Sequence, residues 1–360
     1  MNAIRVVTPT RSRPNHPGLW RQTARGTWRL HRGALLVLLG GVCILSVIAL
    51  LVGLRAHAVY SPSLSCGSVG AAALRACSER INFFGQKPWG LYPPTFGLVV
   101  LALPLAVGTF LGAPLIASEL ERGTFRFTWT QGIGRKRWTI INLLLLATAT
   151  LVATGILGAL FTWSYQPYVG AGVTSGWDAV PFEVTPVTLA AWAVLALSLG
   201  VLVGTATKRV VPAMAATLVA MSALLGLTWW KLGNLLLGYA PLTTRTAPFW
   251  VTSAAGPYGP IGAYAPPGSG QIAGGWLVSG RFAGSNGGPL SRTAVYYMNA
   301  HLPGNAAGQL RWLSQHHEAF VVTYQPASRF WIFQGAEGMV LLGLATLLAL
   351  GTILLISRRA

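Results

Sequence analysis

The chain has 360 residues, of which 53% are hydrophobic and only 9% charged, with a mean hydropathy of +0.55. Soluble domains carry about 25% charged residues, so an ordinary soluble enzyme is excluded. The net charge of +19 comes from 26 Lys and Arg against 7 Asp and Glu, yet the basic residues do not gather as in a nucleic-acid-binding domain. They sit in short clusters between long uncharged runs, the pattern that sets membrane topology. The expected partner is the lipid bilayer, with no nucleic acid.

Residues 1–33 are predicted to form a cytoplasmic basic tail ending in an amphipathic helix. Along residues 19–32, at about 100° per residue, Arg21, Arg25, Arg29 and Arg32 share an arc of roughly 80°. Leu19, Trp20, Trp28 and Leu30 occupy the remainder. A basic arc beside a Trp/Leu arc suits a helix lying in the membrane interface from about Pro17; a basic tail that only sets topology is the alternative. The first membrane span, about 34–54, has the roughly 20 apolar residues that crossing requires. Ala56-His57-Ala58 has the small-x-small form of a signal cleavage site. The run before it is about 21 residues, against about 7–15 for a signal core, so an uncleaved anchor is expected.

Five further spans are predicted at about 95–117, 139–163, 187–207, 210–230 and 338–357. Lys208-Arg209 leaves room only for a tight hairpin between the fourth and fifth, and Pro212 falls in a first turn, where proline costs little. Gly108 and Gly112 in the second span, and Gly200 and Gly204 in the fourth, permit close backbone approach, within one subunit or between two. Pro104 and Pro114 predict kinks in the second span. With the N-terminus inside, 16 of the 26 Lys and Arg fall in cytoplasmic segments and ten are spread over much longer external ones. The predicted fold is an all-α polytopic membrane protein with six transmembrane helices, N-in and C-in. Its regions are the tail 1–33, helices 1–5 over 34–231 with a cytoplasmic loop at 118–137, an extracellular segment 232–330, and helix 6 with a short tail over 331–360.

Outside the membrane, the extracellular segment is rich in Gly, Pro and Tyr. Residues 275–279, 295–298 and 319–324 look strand-like. A connection of this length suggests an ordered cap; a looser cover over an external gate is the alternative. Cys43 lies within the first span and suits packing. Cys66 and Cys77 share the first external loop, where either a disulfide or two free thiols would fit. Glu337 opens the last span at the membrane boundary, where it would cap or line an external gate, while Lys231 can snorkel outward.

No motif points to catalysis. There is no G-x-x-x-x-G-K-[ST] phosphate loop, so the chain is not expected to hydrolyse ATP. His316-His317 lacks a third ligand at suitable spacing, so no metal or cofactor is expected. An integral-membrane transferase acting on a lipid-linked substrate is the enzymatic alternative, and it needs paired acids or a His base near the external face. Asp178 and Glu183 are the only close acidic pair there, with a lone Glu79 in the first external loop.

The cytoplasmic loop between the second and third spans is the most informative segment. Glu119 and Glu121 are two of the seven acids, on a side where acids have no topological use. Phe125, Phe127 and Trp129 alternate with polar residues before Arg135-Lys136-Arg137. Exposed aromatics among both charge signs suit docking of a partner. Glu121-Arg122-Gly123-Thr124, followed by Gly134-Arg135-Lys136-Arg137, resembles the coupling segment of ABC-2-type ABC transporter permeases. The overall plan resembles that family too: an interfacial N-terminal helix, six spans, both ends inside and a large external segment before the last span. Gln131-Gly132 stands where the family commonly shows a proline, and residues 232–330 exceed its usual pair of short external helices.

The resemblance implies a permease that works with a separate ABC ATPase subunit and a second permease subunit in the bacterial cytoplasmic membrane. It makes Glu119, Glu121, Arg122, Gly123, Thr124, Arg135, Lys136 and Arg137 the ATPase-coupling residues. Because the spans hold almost no charge midway, the expected cargo of such an exporter is amphipathic or lipid-like. A non-transporting sensor or immunity subunit would share these features.

Overall fold

The structure, a computed structural model, describes residues 18–59, 93–123, 135–170, 176–228, 243–247, 250–251, 263–264, 276–301, 311–312 and 315–358. Six helices among them are long and apolar enough to cross a membrane: Leu36–Ala58, Thr95–Glu121, Lys136–Val169, Pro186–Thr207, Val210–Leu227 and Ala327–Arg358. Their alternation puts the start of the first and the end of the sixth at one end of the bundle, here the termini end. The β-structure inserted before the sixth defines the sheet end.

Helix α1 (Gly18–Val59) is continuous through the basic segment and the first span. The two segments expected on either side of residue 33 are therefore one helix. At 1.5 Å per residue it is about 63 Å long, roughly twice the hydrocarbon thickness, so its basic half extends well beyond the span. Cys43 is exposed on it. Near its other end α1 packs on the third span at Gly53, where an added Cβ would lie 2.3 Å from the Trp163 ring. One turn on, His57 stacks on that ring at 4.5 Å.

The second span has three parts: α2 (Pro93–Ala106), a π-helical stretch Val107–Gly112, and α3 (Ala113–Glu121). The irregularity has a covalent cause. Pro104 and Pro114 lack the N–H that an α-helix donates four residues back, and the Ala113 N–H reaches Gly108 O, five residues back, instead. A widened turn of this kind is one of the recognised sources of helix bending.

Helix α4 (Arg135–Gly170) forms the third span, and a short α5 (Ala179–Glu183) leads into α6 (Pro186–Thr207), the fourth. Helix α6 is the centre of the bundle. It has no Asp, Glu, Lys or Arg, and Leu189, Trp192, Leu195 and Leu197 are wholly buried. Around it pack α4, the three parts of the second span, α7 (Val210–Leu227) and α9 (Phe330–Arg358). Lys208, left-handed at φ 58°, donates its N–H to Gly204 O and turns the chain directly into α7.

Glycine lets the second and fourth spans touch. A Cβ on Gly200 would lie 2.3 Å from Gly108 O, and one on Gly204 would lie 2.3 Å from Ala113 O. On Gly108 and Gly112 it would meet the Ala196 and Leu197 carbonyl oxygens at 2.8 and 2.7 Å. The obstacles are backbone atoms, which cannot swing aside. All four glycines therefore serve contact within one subunit.

Between α7 and α9, β1 (Thr243–Ala247), β5 (Ala319–Gln325) and β4 (Trp276–Ala283) form an antiparallel sheet in that order. β2 (Trp250–Val251) pairs with β3 (Ala263–Tyr264). The central strand β5 runs almost directly into the sixth span, and the Arg329 guanidinium donates to Gln325 Oε1 across the junction at 2.9 Å. The strand-like reading of 295–298 is corrected: those residues lie in α8 (Arg292–His301). Tyr296 and Tyr297 favour strands, but Ser291 caps a helix, its Oγ accepting the Ala294 N–H at 3.1 Å. Cys66, Cys77 and Glu79 lie outside the described residues.

Candidate functional site

At the termini end, α3 finishes at Glu121, and Gly123 takes a left-handed turn at φ 69°. Glu121, Arg122 and Gly123 are exposed, as are Lys136 and Arg137 at the start of α4. Thr124 lies outside the described residues, and of Arg135 the structure describes only the backbone, at the first position of α4. Glu121 has a partner inside the chain: its Oε2 accepts the backbone N–H of Val210 at 2.8 Å. Val210 is the first residue of α7, whose own N-cap residue, Arg209, provides no side-chain cap. A helix N-terminus leaves its first N–H groups without partners and carries partial positive charge. A carboxylate borrowed from the second span answers both needs and ties that span to the fifth. Sequence reasoning gave Glu121 to an external partner and missed this bond, because no spacing rule links residues so far apart in the chain.

Toward the sheet end, the same two spans enclose an open apolar groove of about 330 Å³. It is lined by Leu98, Leu101 and Leu105 of α2 and by Ser222, Leu225 and Gly226 of α7. Among the described residues no charged side chain lines it, so it suits hydrocarbon rather than an ion.

A second polar site lies at the sheet end, where α5, α6 and α9 meet. Glu183 and Glu337 are 5% and 4% exposed, and their carboxyl groups lie close enough to interact directly. Trp192 Nε1 donates to Glu183 Oε2 at 2.7 Å. Glu337 Oε1 is buried without a hydrogen-bond partner. One turn earlier, Gln334 joins the same elements: its Nε2 donates to Phe182 O at 2.8 Å, and its Oε1 accepts from the Thr185 hydroxyl. The Thr188 hydroxyl lies 3.0 Å from Phe182 O and 3.1 Å from Glu183 O, closing the end of α5 onto α6.

Aromatic rings cluster at the same junction. Trp177 packs edge-on to Phe330 and Phe333 at 5.1 and 5.5 Å, and Phe182 meets Phe330 at 5.6 Å. With water kept away, burial pushes the Glu183 carboxyl up, against the opposing influence of the hydrogen bonds from Trp192 and Glu337.

Two expectations change here. Glu337 does not open the last helix: α9 starts at Phe330, so Glu337 is about two turns inside it and buried. Glu183 is paired with Glu337 and not with Asp178, which is exposed at the front of α5. Both carboxyls of the pair are buried. Among the described residues, no group of three His, Cys, Asp or Glu could hold a metal.

Comparison with known proteins adds one match. The family described as ABC-2 membrane transporter related matches residues 37–230, which run through the first five membrane spans and include Glu121, its Val210 partner and Glu183. No curated protein and no solved structure matches the chain.

Proposed function

The chain belongs to the ABC-2 membrane transporter related family, and from that premise we propose that it is the membrane-spanning permease subunit of an ATP-binding-cassette exporter. In this reading a separate ATPase subunit hydrolyses ATP, and a second permease subunit, identical or related, completes the path. The chain itself is not an enzyme and takes no cofactor. It sits in a bacterial cytoplasmic membrane with both termini in the cytoplasm, so the termini end faces the ATPase and the sheet end faces outward. The basic half of α1 rests on the inner leaflet, where each Lys or Arg near anionic lipid contributes about 1 kcal/mol.

The bond between Glu121 and Val210 carries the mechanism. A partner can drive a conformational change only if it engages two states differently. If the ATPase grips residues 118–137 more tightly in one state, the force reaches α7 directly through Glu121. Helix α7 forms one wall of the apolar groove, so movement of its first turn alters the groove between α2 and α7. Cargo with a hydrocarbon portion fits that surface. The sheet, tied to α9 through Gln325 and Arg329, covers the outward end.

The sensor or immunity reading shares the membrane plan but predicts no movement of cargo. Reconstitution of the permease with its ATPase in vesicles, with a fluorescent phospholipid analogue as probe, separates the two. ATP-dependent transfer of the probe between leaflets supports the exporter. ATP hydrolysis with no movement of the phospholipid analogue, or of a fluorescent glycolipid analogue, overturns it.

A further inference from the structure

The carboxyl pair does something that the passage of an apolar cargo does not require. Two ionised carboxylates repel, and a hydrogen bond between carboxyl groups needs a proton on one of them. Glu183 already receives the Trp192 N–H, which favours its charged form, whereas Glu337 Oε1 has no donor. A proton shared by the pair is therefore favoured on Glu337, from where it can be directed at Glu183.

Among the described residues, nothing nearby substitutes for that proton. Helices α2 and α6 contain no Asp, Glu, Lys, Arg or His. The ionisable groups at the outer end of α4 are Tyr165 and Tyr168, and α4 has its basic residues at the opposite end. On the α5 side Asp178 is exposed. Ahead of α9, Arg329 is directed to Gln325, and Arg358 is at the far end of the helix.

We propose that Glu183 and Glu337 form a single proton-binding site that latches the sixth span to the junction of α5 and α6, and that losing the proton releases α9. Gln334 forms the uncharged part of the same latch. Opening the aromatic cover admits water to both carboxyls, which then ionise in the ordinary range of about 4.3. The latched form therefore holds one more proton at neutral pH, and it weakens as the pH rises. Calling the released state an open gate rests on the exporter reading; the proton site does not.

The test uses the full chain in lipid nanodiscs without an ATPase, so its failure leaves the exporter reading standing. Infrared spectra at neutral pH are expected to show a protonated carboxyl stretch that is lost on alkalinisation and absent from Glu337→Gln. Thermal unfolding of the wild type should shift downward as the pH is raised, while Glu337→Gln, whose amide N–H can still donate to Glu183, should show little shift. Several results overturn the proposal: no protonated carboxyl in the wild type at neutral pH, an unchanged band in Glu337→Gln, or the same pH dependence in both. Loss of the band when calcium is added at constant pH would make the pair a cation site and overturn it equally.

Discussion

Glu121 and Glu183 are both carboxylates at helix junctions, and they solve opposite problems. Glu121 is exposed and caps the first turn of α7 from a neighbouring span, where water screens its charge. Glu183 is buried under aromatic rings, where water is excluded and its partners have to supply what solvent would. The first contact can be made and remade at little cost. The second depends on the Trp192 N–H and on Glu337 in place of solvent. One end of the bundle is thus tied through an exposed contact and the other through a buried one.

The glycine contact between the second and fourth spans joins these ends, and it gives the largest expected effect. Gly200→Val would drive side-chain atoms into the Gly108 carbonyl and the Ala113 amide, which are backbone and cannot yield. Overpacking costs about 1–3 kcal/mol and sometimes more, so detergent-solubilised Gly200→Val should unfold well below the wild type or fail to accumulate. Gly343→Ala, where an added Cβ meets nothing within 4 Å, should leave unfolding unchanged. Equal behaviour of the two would show that the spans do not pack this way.

At the buried end, Trp192→Phe removes the N–H that Glu183 Oε2 accepts while keeping an aromatic ring. Leaving a buried acceptor unsatisfied costs about 1–3 kcal/mol, with charged groups at the upper end. Chemical unfolding of the purified chain should show that loss. A change near zero would mean water reaches Glu183, and the contrast between the two ends would collapse.

At the exposed end the effect should be smaller. Capping residues replaced by Ala cost about 0.5–2 kcal/mol. Glu121→Ala should therefore weaken protection of the Val210 amide in hydrogen exchange with little effect on global unfolding. Glu121→Gln keeps an acceptor oxygen and should retain most of the protection. Identical exchange in the Ala variant and the wild type would remove the link between the second and fifth spans.

How much of this was legible beforehand follows from the range of each interaction. The six spans are local facts, visible as apolar runs bounded by Arg32, Arg137 and Lys208. The tight hairpin at Lys208-Arg209 is equally local. The glycine spacing in the second and fourth spans announced a close approach but not its partner, since either helix could have met another subunit. Glu183 was visible as an acid near Asp178, but its true partner enters from the last helix and leaves no trace in spacing. Glu337 looked like a boundary residue because the apolar run starts after it; the helix begins earlier, at Phe330, with aromatic residues packed over the junction. In α8 a cap at Ser291 overrode the strand preference of two tyrosines. Local signals were sufficient for topology, whereas the polar contacts that distinguish the two ends depend on tertiary structure.

The central claim is that residues 118–137 couple this chain to an ATPase. The most direct measurement is Mg-ATP hydrolysis in complexes purified through the full-length chain from its native membrane, compared across variants. Hydrolysis should accompany the wild type and Glu121→Gln, which keeps the cap on α7. It should be lost in Glu119→Lys/Glu121→Lys, where like charges across the docking surface cost several kcal/mol, although that variant still inserts with six spans. Absence of hydrolysis with the wild type, or undiminished hydrolysis in the double Lys variant, would contradict the account.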